Sequence, residues 1–263
     1  MKRFGRHAWT GTRAVLKTRL YVAAFAVLLH STGVFAEEIK VLSSVGIKAV
    51  VDELAPQFEK ATKHKVTTVF GLAGAHKAQI EKGEPFDVAI LTPPLLDDLI
   101  AKGLVSSKSN VARTGLGLMI KAGAHKPDVS SVDAFKRTLL AAKSITFASA
   151  GASGIAFLAT AKQLGIADAI KTKPAASGDE VNANVLSGAS DLAVLPISEI
   201  LPLPGIQLAG ALPPDLQTYI VMVAGASAKT TQASAVRELI QFLMAPDANP
   251  IVKVKGMERI PPR

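Results

Sequence analysis

Three short runs of small residues stand where the sequence turns from strand pattern to helix pattern: Ser43-Ser44-Val45-Gly46, Gly71-Leu72-Ala73-Gly74 and Ser149 to Gly154. A helix N-terminus leaves free N–H donors and carries roughly half a positive charge. It therefore holds an anion without needing a basic side chain. Any one of these runs is ordinary turn chemistry. Taken together, they fall where an α/β sheet places its ligand crevice, at the carboxyl ends of its strands. The chemistry implied is the holding of a small anion.

Residues that could transform a ligand are sparse. Gly151-Ala152-Ser153-Gly154 approaches the G-x-S-x-G nucleophile elbow, but Ile155 stands where the last glycine belongs. Of five histidines, His7 and His30 lie in the N-terminal leader. His64 and His125 lie in polar loop contexts, and His76, just after the second run, is the one that could touch a ligand. None is spaced for a metal site. Asp97-Asp98 is adjacent in sequence, so the two carboxylates diverge on a helix and read as a solvated face. There is no P-loop and no dinucleotide fingerprint. The sequence thus predicts no catalytic residue, no metal and no cofactor.

Residues 1–36 read as a cleaved export signal. Lys2, Arg3, Arg6, Arg13, Lys17 and Arg19 form a basic segment without acids, Tyr21 to Leu29 is a short apolar core, and Val34-Phe35-Ala36 offers a cleavage site. The apolar run is shorter than the roughly 20 residues that span a bilayer. Six of the nine excess positive charges sit in this leader, so the remainder carries only +3. The basic balance is a targeting effect and does not indicate a nucleic-acid partner. Trp9 and Tyr21 leave with the leader, and Tyr219 is then the sole tyrosine, too little for a base-stacking platform. The absence of cysteine excludes disulfides, thiol catalysis and a lipidated N-terminal cysteine. A soluble periplasmic protein, acting as a monomer, is the expectation.

The elements that must position the three runs alternate between strand and helix, which predicts an α/β fold. Strands are expected at 39–42, 66–70, 86–91, 116–120, 144–148, 192–195 and 218–224. Ile47, Val50, Val51, Leu54 and Phe58 recur at helical spacing, with Asp52 and Glu53 facing water. Pro56 falls inside this helix and predicts a kink. Further helices are expected at 75–82, ended by Gly83, and from Pro93-Pro94 to Gly103. Others are expected at 135–142 after a Ser130-Ser131-Val132-Asp133 cap, at 155–163, at 180–186 and at 233–244. Residues 202–214, rich in Pro and Gly, read as loops. This order fits two α/β lobes joined by crossings near 113–118 and 218–222.

The run Leu54-Ala55-Pro56-Gln57-Phe58-Glu59-Lys60, with His64-Lys65-Val66, Ala78-Gln79-Ile80, Gly83 and Phe86-Asp87-Val88-Ala89-Ile90, resembles the molybdate-type periplasmic solute-binding proteins of ABC importers. Phe242-Leu243, Ala245-Pro246 and Lys255-Gly256-Met257 are similar to the same group. The resemblance spans nearly all of the chain after the leader. It implies a type II periplasmic binding protein fold, each lobe a mostly parallel sheet flanked by helices. Lobe I would comprise residues 38–115 plus 221–263, and lobe II residues 116–220. It also implies an inner-membrane ABC permease as partner.

Carried over residue by residue, the resemblance places Ser43, Ser44, Val45, Gly46, Ala73, Gly74, Ala75 and Thr92 on one side of the cleft. Ser153, Gly154, Val181 and Leu195 face them. Three positions depart from the family pattern: Gly46 and Ala73 stand where it has serine hydroxyls, and Leu195 where it has a tyrosine. Hydrogen bonds to charged groups are worth about 1.5–3 kcal/mol each. Losing two hydroxyls would therefore weaken an oxyanion by roughly 10²- to 10⁴-fold. The expectation is an altered ligand, a small organic carboxylate or another oxyanion. Two other classes stay open: an enzyme on this fold, a lyase or isomerase of a small acid using His76 or an unrecognised carboxylate, and a non-transport ligand sensor.

Overall fold

A computed structural model describes residues 36–260, so the export-signal segment lies almost wholly outside the described residues. The strands are β1 Glu38–Ser44, β2 Lys65–Gly71, β3 Val88–Leu91, β4 Ser109–Lys121, β5 Ile145–Ala148, β6 Thr172–Ala175, β7 Leu192–Pro196, β8 Ile206–Ala211 and β9 Tyr219–Ala226. The helices are α1 Lys48–Thr62, α2 Ala73–Glu81, α3 Pro93–Ala101, α4 Val132–Ala141, α5 Ala152–Gln163, α6 Gly178–Leu186, α7 Ile197–Ile200, α8 Ala233–Met244 and α9 Asn249–Val254.

The architecture is α/β, with one mixed sheet in the order β2-β1-β3-β9-β4-β7-β5-β6 and β8 added on β4. Two parallel groups, β2-β1-β3 and β7-β5-β6, are joined through the antiparallel pair β9-β4. The thirteen-residue β4 serves both ends. Its first half, Ser109 to Gly115, pairs with β9, and its second half pairs with β7 and β8.

The inner strands β3, β5 and β7 are buried at every position, as parallel strands covered on both faces must be. Period-two alternation sends their side chains to opposite faces. Val88, Ile90, Ile145, Phe147, Leu192 and Val194 join one continuous core that also takes Val50, Leu54 and Phe58 of α1. On the other face the apolar side chains form two separate clusters. One surrounds Ala89 and Leu91 under α3, and the other surrounds Ala148, Ala193 and Leu195 under α6.

Helix boundaries follow local chemistry. Ser131 caps α4 by accepting from the Ala134 N–H, and Gly83, at φ +91°, lies just past the end of α2. Pro56 does not end α1, which runs through it to Thr62 with the ring on the exposed face. Four elements depart from the sequence expectation. β8 lies in the stretch that reads as loops, and β6, α7 and α9 have no counterpart among the expected elements. β6 is an edge strand reading Thr-Lys-Pro-Ala, and Pro174 is tolerated there because an edge leaves one side of the backbone unpaired.

One predicted ligand residue has a packing reason for its identity. The α5 N-terminus approaches β5 so closely that a Cβ on Gly154 would run into the Ala148 carbonyl oxygen. Gly154→Ala must push α5 off the sheet, so a loss of about 1–3 kcal/mol in urea-unfolding free energy is expected. An unchanged midpoint would show that the contact yields without cost.

Candidate functional site

At the carboxyl ends of β1, β2, β6 and β7 the described residues form an open cleft of about 620 Å³. Its apolar lining includes Val45, Phe70, Leu72, Leu195, Pro202 and Leu203. Its charged lining comes from Lys48, Asp52 and Glu53 of α1, Asp179 of α6, Glu199 of α7 and Lys255.

The floor is fixed by buried hydroxyls. Pro196 closes β7 at φ −58° and turns the chain into α7. Ser198 Oγ then donates to the Gly46 carbonyl at 2.6 Å, and the Ser198 N–H donates to Thr114 Oγ1 at 3.2 Å. Thr114 Oγ1 in turn donates to the Gly256 carbonyl at 2.9 Å. Both side chains are buried, where a satisfied hydroxyl holds one geometry and an unsatisfied one is costly. This chain of bonds ties the loop after β1, strand β4, helix α7 and the C-terminal segment into one piece.

Glu199 is positioned by that piece. Its carboxylate lies between two glycines. A Cβ on Gly46 would stand 3.5 Å from Oε1, and one on Gly178 would stand 3.4 Å from Oε2. Among the described residues it makes no ion pair or side-chain hydrogen bond, and its residue is only partly exposed. Burial, with a smaller push from the Asp179 carboxylate, raises its pKa from 4.5 to about 7. The lysines of the cleft are occupied elsewhere. Lys48 Nζ is 2.6 Å from Asp52 and sits 4.4 Å from the Phe70 ring centre, and Lys255 Nζ is 2.7 Å from Glu53. Ion pairs this exposed are worth about 0–1 kcal/mol, so an incoming carboxylate can replace Asp52 or Glu53 at little cost.

Of the residues singled out in the sequence, Val45 and Leu195 line this cleft. Ser43 is buried and donates to the Ser44 carbonyl, and Ser44 Oγ accepts from the Gly46 N–H at 3.4 Å. Ala73, Gly74 and Ala75 open α2 one residue beyond the lining Leu72, and Thr92 precedes α3. Ser153 and Gly154 are buried in the first turn of α5, and Val181 is buried in α6. His76 is buried behind the lining residue Gly71: its Nε2 donates to the Ser43 carbonyl at 3.1 Å, and Nδ1 lies 2.8 Å from the Gln79 side-chain amide. It braces α2 against β1. Glu199, Asp179, Lys48 and Lys255 escaped the sequence reading. Pro196-Ile197-Ser198-Glu199 carries no motif, and only the fold brings it against Gly46. Among the described residues there is no cluster that could hold a metal ion.

A two-group α/β sheet with a cleft at its strand ends is the form of a periplasmic binding protein of the second structural type. The chain belongs to the bacterial extracellular solute-binding proteins, whose family model matches residues 39–258. It is 31% identical over 254 residues to a Pseudomonas aconitate isomerase, covering 91% of this chain and 96% of that one. It is also 30% identical over 250 residues to the molybdate-binding protein ModA of Azotobacter vinelandii, with the same coverage. The solved Azotobacter vinelandii periplasmic molybdate-binding protein superposes at a TM-score of 0.72 with 22% identity, covering 86% of this chain and all of that one. The sulfate-binding protein SubI of Mycobacterium tuberculosis does so at 0.70 with 16% identity, covering 86% and 88%. The type II fold and the ModA-type family are thereby shown.

The raised Glu199 pKa has a consequence for stability. Between about pH 4.5 and 7 the folded chain keeps a proton that the unfolded chain has released, so stability falls as pH rises through that window. A neutral glutamine removes the loss. Glu199→Gln should match the parent near pH 4.5 and exceed it at pH 8 by about 1–3 kcal/mol, the range allowed by a carboxylate with a partial route to water. Urea unfolding at the two pH values checks the sign; a variant that is less stable at pH 8 would refute it.

Proposed function

We propose that this solute-binding protein takes a small organic polycarboxylate, with aconitate as the first candidate, rather than a tetrahedral oxyanion. In this reading it holds the acid between two lobes in the periplasm and presents it to an ABC permease. The observation that carries it is the cleft itself. Its volume of about 620 Å³ falls in the range of small-molecule sites, roughly 300–1,000 Å³, and its lining is largely apolar with lysines on two elements. A tetrahedral oxyanion calls for a tight ring of donors. Here Gly46, Ala73 and Leu195 supply no hydroxyl to such a ring. A di- or tricarboxylate, by contrast, spans the distance between separate cations and rests its carbon skeleton on Val45, Phe70 and Leu195. The near full-length similarity to an aconitate isomerase supports the same ligand class.

Glu199 favours a second reading, in which the bound acid is also transformed. A buried carboxyl that titrates near neutrality and has no protein partner can exchange a proton with a bound acid, a capacity that binding alone does not call for.

Thermal unfolding of the mature protein with molybdate, tungstate, sulfate, phosphate, aconitate and citrate separates the ligand classes. A ligand at 100 times its Kd adds about 2.7 kcal/mol, or on the order of 5–10 °C for a chain of this size. Aconitate or citrate should give such a shift while molybdate does not. A shift of that size with micromolar molybdate, and none with either organic acid, would overturn the proposal.

A further inference from the structure

We propose that Glu199 is the proton acceptor of an isomerisation, taking a hydrogen from a carbon next to a carboxylate of the bound acid and returning it to the far end of the adjoining double bond. The inference rests on the polycarboxylate reading of the cleft and adds chemistry to it. Geometry carries it. Glu199 reaches the cleft from α7, its carboxylate lies between Gly46 and Gly178, and no described lysine, arginine or hydroxyl pairs with it. A base paired with a cation would be weak. A base held between glycines keeps both oxygens available.

The groups facing it are few. Asp179 comes from α6, Lys48 with Asp52 and Glu53 from α1, and Lys255 from the segment after α9. The Asp179 charge and burial hold the Glu199 carboxyl near neutrality, where one group can both accept and return a proton. The lysines suit the opposite task. Lys48 is held by an exposed pair with Asp52 and by the Phe70 ring, Lys255 by a pair with Glu53, and each can move to a substrate carboxylate and stabilise the charge that develops on it.

For aconitate the step balances without a co-reactant. Glu199 removes one hydrogen as a proton from the CH₂ carbon that lies between a carboxylate and the double bond. The electron pair left behind spreads over the three allylic carbons and the adjoining carboxylate. The proton held on Glu199 then adds to the carbon that was the vinylic CH. One C–H bond breaks and one forms, the double bond moves by one carbon, and nothing is oxidised. The shape in which the cleft holds the carbon skeleton sets whether the new double bond is cis or trans.

The test follows cis- and trans-aconitate by proton NMR in D₂O with the full mature protein, alongside the thermal shift produced by aconitate. Wild type should interconvert the isomers or load deuterium at the allylic carbons, with kcat/KM rising through a midpoint near pH 7. Glu199→Gln should give an aconitate thermal shift at least as large as the parent's, since a like charge is removed with the shape unchanged, and should lose turnover by about 10²- to 10⁴-fold. Glu199→Asp, which retracts the carboxylate, should keep a measurable fraction of it. If wild type is stabilised by aconitate but neither isomerises nor exchanges it, the Glu199 inference falls and the binding reading stands. Turnover that survives in Glu199→Gln overturns the inference too. If aconitate and citrate give no shift, the polycarboxylate reading fails, and the inference fails with it.

Discussion

The 2.6 Å bond from Ser198 Oγ to the Gly46 carbonyl is the constraint on which the site depends. Ser198 comes from the turn after β7 and Gly46 from the loop after β1, elements that lie on opposite sides of the β9-β4 junction. Thr114, at the middle of β4, accepts from the backbone of one and passes the network on to Gly256. Two hydroxyls buried to within a few per cent thus weld the two parallel groups where the cleft has its floor. An unmade bond at such a site costs more than a made one contributes, so the network enforces position more than it adds stability. Helix α7 is a single turn, and without this anchor its side chains would have no fixed direction.

That anchoring places a carboxylate where an anion-binding protein would not be expected to have one. The cleft contains four carboxylates and two lysines, and the two lysines already face two of the carboxylates across short, exposed ion pairs. The two left over are Asp179, exposed at the start of α6, and Glu199 at the floor. Burial resists the charge on Glu199, and the neighbouring Asp179 resists it further. At neutral pH the site therefore sits near the point where a proton on Glu199 is gained or lost. A second anion entering the cleft moves that balance toward the protonated form. Ligand charge and the protonation of Glu199 are coupled by proximity, whatever the ligand's identity.

Much of the scaffold was legible because it is written in periodicity. The buried strands Val88–Leu91 and Leu192–Pro196 are unbroken apolar runs, Ile145–Ala148 is interrupted only by Thr146, and Ala233–Met244 carries a strong apolar face, so each declares itself locally. The elements that hide are those stabilised from outside themselves. Thr172–Ala175 is a strand because β5 pairs with it, and Ile206–Ala211 is one because β4 does. The same division runs through the site. Gly and Ser at strand-to-helix turns advertise an anion cradle, whereas Glu199 and Lys255 are ordinary surface residue types. They become a site only when β7 and the C-terminal segment converge on the loop after β1. His76 misled for the same reason: its place after a binding loop is visible in the sequence, but its hydrogen bond to the Ser43 carbonyl is not.

Position 46 joins the two halves of the problem. The family resemblance has a serine there, and its absence by itself reads as the loss of one donor to an oxyanion. In the folded chain a Cβ at this position would approach Met222 Cε to 2.5 Å and Glu199 Oε1 to 3.5 Å. A serine hydroxyl would need Met222 to move, and it would stand within hydrogen-bonding reach of the carboxylate. A donor that close would stabilise the charged form of Glu199 and make it a weaker base. Glycine leaves that oxygen free, and Gly178 does the same for the other. The departure from the oxyanion pattern at position 46 and the unpartnered glutamate are thus structurally linked: where a serine hydroxyl would reach Glu199, glycine leaves a carboxylate that no described residue neutralises.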